Sequence, residues 1–251
     1  LVLNLSQVNV DNAATALVTM AGLPEFQATP ANERALANLE KAIALDPGNA
    51  KAHNNCASLM AHYGNIGQAL FHLLKALTIE PGLTDAQDNL HYFLQHPNYI
   101  ASAATDLRRE LDQSPHDPDL LFATGFVEEV RGDPDRAEIR YRQAIEKNPE
   151  HAGALMAMAR IQSAQGNLDQ SILLLKKVVE QQPGRADIDY NIACMYSLLG
   201  QKEPAVSWLQ SAVEKGYLHW DQIAADPDLE NIRDTEAYQR LMKHRPDERL
   251  P

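Results

Sequence analysis

Five prolines recur at a constant spacing of 34 residues, and this period constrains the fold more than any other feature of the chain. They are Pro47, Pro81, Pro115, Pro149 and Pro183. Because the chain holds only 14 prolines in 251 residues, four further matches at one spacing are very improbable by accident. A constant period of this length indicates an array of repeated units rather than one globular core.

The repeats also share a pattern of small, large and small residues at helical spacing. In the repeat that ends at Pro81 these are Ala69, Leu73 and Ala76, and spacings of four and three residues place them on one face of a helix. Residues that break a helix or tolerate positive φ precede this segment in every repeat. They are Pro30, Gly64, Asn98, Gly132, Gly166 and Gly200. Each unit is therefore predicted to be a helix, a turn, a second helix and a stop at the proline.

This pattern resembles the tetratricopeptide repeat, a helical hairpin of 34 residues. The resemblance covers residues 31–219 and is poorest in 84–116, where His91 and Glu110 stand at positions that are usually small. The aromatic residue that the family carries early in the first helix is also replaced, by His53, Gln87, Leu121, Leu155 and Asp189. The resemblance implies an all-α, right-handed superhelical solenoid of about six antiparallel helix hairpins.

The rhythm of the repeats also predicts the domain organisation. We expect a degenerate helical cap in residues 1–30 with a helix at 11–22, the repeat array in 31–219, and a closing segment with a charged tail in 220–251. The closing segment looks like those that follow many bacterial arrays of this family. Its apolar residues are expected to cover the last hairpin. They are Trp220, Ile223, Leu229, Ile232, Tyr238 and Leu241.

The helices of the regular hairpins are joined by short turns, which forces antiparallel neighbours. The predicted pairs are 50–63 with 66–79, 84–95 with 99–113, 118–131 with 134–147, 152–165 with 168–181, and 186–199 with 203–215.

Charge and composition restrict the partners. A net charge of −12 with a pI near 5.1 argues against nucleic acid, which is bound through clustered Lys and Arg, and disfavours anionic membranes. No apolar run is long enough for a membrane span, so no direct membrane insertion is expected of this chain. Cys56 and Cys194 lie four repeats apart and are interpreted as unbridged packing residues.

The resemblance implies that the first helix of each hairpin lines the inside of the array, and helical spacing then selects the inward residues. The predicted partner-binding residues on this concave face are Asn54, Asn55, Ser58, His62, Asn89, Tyr92, Phe122, Phe126, Met156, Arg160, Tyr190 and Asn191.

Two features of this set suggest how an extended peptide is held. Asn55, Asn89 and Asn191 occupy the same place in their repeats, and an amide can both donate to and accept from a peptide backbone. Apolar and aromatic residues lie between them: Tyr92, Phe122, Phe126, Met156 and Tyr190. The alternative is that the asparagines are merely solvated and that Phe122 and Phe126 pack between neighbouring helices.

Patterns that carry catalysis are absent from the sequence. There is no glycine-rich phosphate loop, no G-x-S-x-G and no H-E-x-x-H. His91 and His96 fall on different faces of one helix, and no spacing completes a zinc set. The Asp residues beside Pro118 and Pro227 are interpreted as helix N-caps. We therefore expect no catalytic residue, no metal and no cofactor.

The leading hypothesis is a protein–protein interaction scaffold that binds an extended segment of a basic or neutral partner in its groove. One alternative is a soluble appendage of a larger bacterial enzyme or membrane protein, glycosyltransferase-like or for envelope assembly, whose catalytic part precedes Leu1. That hypothesis places the chain on the cytoplasmic or periplasmic side of the larger protein. Another is self-association through exposed end helices. The sequence leaves the partner, compartment and oligomeric state open.

Overall fold

Helices joined by short turns make up residues 30–243, the part of the chain that the computed structural model describes. No β-strand occurs in that range, so the predicted all-α class is confirmed. Nearly all of the cap predicted for residues 1–30, including its helix at 11–22, and the end of the tail lie outside the described residues.

The described helices agree with the predicted ones to within two residues at each end. In chain order they are α1 (Pro30–Leu45), α2 (Ala50–His62), α3 (Ile66–Ile79), α4 (Thr84–Gln95), α5 (Pro97–Gln113), α6 (Pro118–Val130), α7 (Pro134–Lys147), α8 (Ala152–Ala164), α9 (Leu168–Gln181), α10 (Ala186–Leu198) and α11 (Lys202–Glu214). The closing segment forms α12 (Trp220–Ala225), a 3-10 helix (Pro227–Ile232) and α13 (Glu236–Lys243).

Glycines with positive φ close four of the hairpins where the repeat predicted them. Gly64, Gly132, Gly166 and Gly200 have φ between +71° and +84°, a conformation that glycine adopts without steric cost. At the first of these, the Gly64 amide donates to the Ala61 carbonyl and the next amide donates to Met60, which satisfies carbonyls at the end of α2. The same pair of bonds recurs at the other three glycines, so one turn geometry is repeated.

The predicted N-caps are confirmed. The Asp117 carboxylate accepts from the backbone amides of Asp119 and Leu120 at the start of α6, and Asp226 accepts from Asp228 at the start of the 3-10 helix. These aspartates therefore cap the helices that they precede.

The hairpin of α4 and α5 differs from the others. Its turn was predicted at Asn98, but α5 already begins at Pro97. His96 is the single residue between α4 and α5, and it caps both helices. The prediction at Asn98 was wrong because Pro97 is suited to the first turn of a helix. α5 packs mainly against α3 and α6.

Gly67 allows α3 and α5 to approach closely. A Cβ atom at this position would lie 2.5 Å from Cβ of Asp106 and 3.2 Å from the backbone nitrogen of Leu107. The Gly67 amide also donates to Oδ2 of Asp106 across 3.2 Å. The atoms that would clash are the Cβ atom of Asp106 and backbone atoms of α5. A change of rotamer at Asp106 therefore cannot relieve the clash, and α5 itself would have to move.

Replacing Gly67 with Ala is expected to lower the free energy of unfolding by about 1–3 kcal/mol, because the added methyl group overpacks the α3–α5 contact. The matched control is Gly82→Ala, since no atom lies within 4 Å of a Cβ built there. Urea unfolding followed by far-UV circular dichroism measures both. Equal stability of the two variants would contradict the close packing.

The chain forms two compact units, Leu1–Ala154 and Leu155–Pro251. In the first unit, apolar residues from α2 to α8 form one core, in which Leu70, Phe93 and Leu107 are almost fully buried. In the second unit, Ile223, Leu229 and Ile232 of the closing segment are fully buried among residues of α10 and α11. Each such side chain contributes about 1.5–3 kcal/mol through burial, so the segment is held by apolar packing.

Candidate functional site

Asn54 and Asn89 form a buried amide pair between α2 and α4. Nδ2 of Asn89 donates to Oδ1 of Asn54 across 2.9 Å, and both residues are less than 9% exposed. Breaking a hydrogen bond between buried amides is costly, because the group left behind has neither a partner nor water. The pair therefore connects the two helices. Because one N–H of the Asn89 amide is used in this bond, only its other N–H and its oxygen are left for a ligand.

Asn55, Ser58 and His62 lie on the same helix as Asn54 and keep contact with solvent. Asn55 is exposed, whereas Ser58 and His62 are half-buried. The Ser58 hydroxyl donates to the Asn54 carbonyl across 3.2 Å, and the ring of His62 meets that of Tyr63 edge to face. Of the three predicted asparagines in the first unit, Asn55 is the most exposed.

Tyr92 belongs to an aromatic cluster where α4 meets α5. Its ring centroid lies 4.1 Å from that of His96, with 31° between the ring planes, and 6.1 Å from that of Tyr99. Nδ1 of His96 donates to the Tyr92 carbonyl across 2.7 Å, which fixes the imidazole. The tight turn at His96 thus gathers three half-buried rings that helical spacing alone does not predict.

Phe122 and Phe126 on α6 are half-buried and pack against the core of the first unit. The Phe122 ring lies 5.8 Å from Tyr141 and 5.1 Å from His151, centroid to centroid. A Cβ at Gly153 would come within 2.9 Å of the same ring, so the absence of a side chain there makes room for it. Both rings are therefore only partly exposed to solvent.

The predicted residues of the second unit are in different environments. Met156 and Tyr190 are buried, Asn191 is half-buried and Arg160 is exposed. The Tyr190 hydroxyl donates to Oδ2 of Asp226 across 2.5 Å, and its ring stacks on Tyr217 at a centroid distance of 4.2 Å. Burial and the hydrogen bond to Asp226 hold the pKa of Tyr190 well above its ordinary value. Tyr190 therefore anchors the closing segment.

Sequence reasoning missed a buried polar network in the first unit. Nδ1 of His53 lies 2.9 Å from Nδ1 of His72, and Nε2 of His53 lies 3.3 Å from the Pro47 carbonyl. A carbonyl only accepts, so His53 carries its proton on Nε2, and His72 donates to Nδ1 of His53. The signal in the sequence was His53 at the family's aromatic position.

Asp119 lies close to this network, and its carboxylate binds the ammonium group of Lys75 and the imidazole of His151. Lys75 Nζ is 2.7 Å from its Oδ1, and Nε2 of His151 is 2.9 Å from the same atom. Burial alone would raise the pKa of Asp119, but His151 and Lys75 lower it to about 2. The carboxylate thus remains ionised well into acid.

Cys56 and Cys194 are free and buried. Burial, with a smaller contribution from Glu40, raises the pKa of the Cys56 thiol to about 11, so it stays protonated at neutral pH. Among residues 30–243, no three His, Cys, Asp or Glu side chains come together as a metal site. Within the same range no helix has both the length and the apolar character needed to cross a membrane.

Comparisons with known proteins agree with this geometry. Two tetratricopeptide-repeat family models match the chain, one over residues 131–190 and one over residues 186–214. No curated protein matches it significantly.

Three solved structures are among those that are similar to parts of this chain. YrrB, described as a TPR protein with an unusual peptide-binding site, is 24% identical over 74% of this chain and 96% of its own, with a TM-score of 0.47. MamA is 16% identical over 73% of this chain and 88% of its own, with a TM-score of 0.39. A TPR protein of Thermus thermophilus, TTC0263, is 20% identical over 65% of this chain and 90% of its own, with a TM-score of 0.41.

Antiparallel hairpins that recur every 34 residues, four of them closed by the same glycine turn, define the class of helical-repeat proteins. Within that class, residues 131–214 carry tetratricopeptide repeats, because the two family models match there.

Proposed function

We propose that this chain is a non-catalytic scaffold that binds an extended segment of another protein. The binding surface is what we call the first-helix face: the side of α2, α4 and α6 that carries Asn55, Ser58, Tyr92, Phe122 and Phe126. The observation that carries the proposal is that these side chains stay exposed or half-exposed while their helical neighbours fill the core. Tyr190 and Met156 are left out because they are buried.

The chemistry of the first-helix face suits a peptide backbone and apolar side chains. The Asn55 amide can both donate and accept, and the Ser58 hydroxyl, whose proton is directed to the Asn54 carbonyl, can still accept, so both suit the polar groups of an extended main chain. The accessible rings of Tyr92, Phe122 and Phe126 offer apolar area at little conformational cost, as aromatic anchors in interfaces do. The net charge of −12 favours partners with basic or neutral segments.

A peptide selection tests this function. Random dodecapeptides displayed on phage are selected on the full chain, and the dissociation constants of the selected peptides are measured by fluorescence anisotropy. In the double variant Asn55→Ala, Ser58→Ala, affinity is expected to fall about 30-fold, because two hydrogen bonds of about 1 kcal/mol each are lost.

The control is Ile139→Ala, which removes an exposed side chain on α7, a second helix of its hairpin. It should leave affinity unchanged. A selected peptide whose affinity drops in Ile139→Ala but not in the double variant would overturn the assignment to the first-helix face. Thermal unfolding of each variant shows whether the fold is intact.

A further inference from the structure

One stripe of α4 combines unpaired carboxylates with an aromatic surface. Asp85, Asp88, Tyr92 and His96 follow one another at spacings of three and four residues, which places them along one line of the helix. We call this line the α4 stripe. It runs beside the buried face of α4, where Ala86, Leu90 and Phe93 enter the core.

The two aspartates have no cationic partner. Asp85 is exposed and Asp88 is half-exposed, and neither takes part in an ion pair within the described residues 30–243. Burial and then the charge of Asp85 raise the pKa of Asp88, with a smaller opposing effect from His91. Two carboxylates on adjacent turns thus repel each other, and a cation bound between them would relieve that repulsion.

The contrast with α6 shows that this arrangement is particular to α4. Asp85 in α4 and Asp119 in α6 are 34 residues apart and therefore occupy the same position in successive repeats. Asp119 is already bound by Lys75 and His151. Within the first unit, the carboxylates of α4 remain free to receive a charge from outside.

The ring of Tyr92 lies one turn after Asp88 and is held in place. Residues four apart on a helix have Cβ atoms about 5–6 Å apart, so one ligand group can reach both side chains. Tyr92 packs against His96 and Tyr99, and the imidazole of His96 is fixed by its bond to the Tyr92 carbonyl. A preordered ring beside a carboxylate suits a planar cation, which can stack on the ring and donate to the oxygens.

We propose that the α4 stripe binds an arginine side chain of the partner segment, with the guanidinium stacked on Tyr92 and its N–H groups donating to Asp88. Asp85 adds long-range attraction. This inference rests on the proposed function, because it names the residue type that one part of the first-helix face selects. A lysine ammonium is a compact, strongly hydrated charge that cannot fork onto a carboxylate, so the stripe discriminates between the two cations.

Three decapeptide pools test the inference. They share randomised flanks and differ only in the fixed central residue, which is Arg, Lys or Gln; binding to the full chain is measured by anisotropy at fixed ionic strength. The Arg pool is expected to bind about tenfold more tightly than the Gln pool and several-fold more tightly than the Lys pool. Asp88→Asn and Tyr92→Leu should each remove most of the Arg advantage.

The matched control is Asp112→Asn, which removes an exposed negative charge on α5. It should preserve the ranking of the pools, and equal losses in Asp112→Asn and Asp88→Asn would reduce the effect to net charge and overturn the inference. Equal binding of the Arg and Lys pools, or of the Arg and Gln pools, would overturn it too. In those cases the proposed function survives if Asn55→Ala, Ser58→Ala still weakens binding. Failure of every pool to bind at millimolar concentration would overturn both.

Discussion

Replacing Lys215 with Met is expected to lower the free energy of unfolding of the second unit by about 2–4 kcal/mol, because it leaves a buried carboxylate without its cation. Asp189 is fully buried, and its Oδ2 receives the Lys215 ammonium and the Ser211 hydroxyl. Its Oδ1 has no partner among the described residues. Because the Lys215 side chain is 26% exposed, the loss should lie below that of a wholly buried pair.

The two tryptophans of the chain, Trp208 and Trp220, both belong to the second unit, so their fluorescence during urea unfolding reports on that unit alone. Lys202→Met is the control, since its ion pair with Asp234 is solvent-exposed and should contribute little to stability. The double variant Asp189→Leu, Lys215→Met should recover most of the loss. If Lys215→Met is no more harmful than Lys202→Met, the buried pair does not stabilise the unit as argued.

Lowering the pH from 6.5 to 4.5 is expected to destabilise the first unit by about 2–3 kcal/mol. Burial, the neighbouring His53 and Lys75 lower the pKa of His72 to about 4, and burial is also the main reason that the pKa of His53 is lowered. Both histidines therefore bind a proton less readily in the folded protein than in the unfolded chain. The stabilisation is complete above about pH 6.5 and is lost as the pH falls towards 4. Asp119 stays ionised throughout this range, so the loss comes from the histidine pair.

Unfolding curves recorded by far-UV circular dichroism and by tryptophan fluorescence separate the two units. The pH-dependent loss should appear in the dichroism and not in the fluorescence. His72→Gln, whose amide can still donate to Nδ1 of His53, should flatten the dependence, whereas His116→Gln at an exposed position should not. An unchanged pH dependence in His72→Gln would show that the pair is not responsible.

The fold followed from the sequence wherever a local rule decided it. A glycine in the left-handed region ends a helix whatever its surroundings, so Gly64, Gly132, Gly166 and Gly200 marked their turns correctly. The α4–α5 turn could not be placed in the same way, because neither Asn98 nor His96 is decisive alone and the preference of Pro97 for a helix start prevailed. The apolar residues of the closing segment were recognised because a terminal hairpin has to be covered.

The polar contacts that shape the site join positions that no local pattern connects. The sequence showed His53 and Asp189 in a place that the family fills with an aromatic residue, but it did not show their partners. Those partners lie 19 and 26 residues further on, at His72 and Lys215. Likewise, Asn89 was predicted to bind a peptide backbone, and its bond to Asn54 depends on how α2 and α4 pack. Which of the predicted residues contact a partner remains a prediction.

The most direct test of the account places a peptide on the first unit. A nitroxide spin label is attached to the middle of a selected peptide, and the broadening of backbone amide signals is measured by NMR on the full chain. Binding on the first-helix face predicts strong broadening at Asn55, Tyr92 and Phe126 and little at Arg108 and Ile139, on α5 and α7. Broadening centred on Arg108 or Ile139, with Asn55 and Tyr92 unaffected, would contradict the central claim that the first helices carry the binding surface.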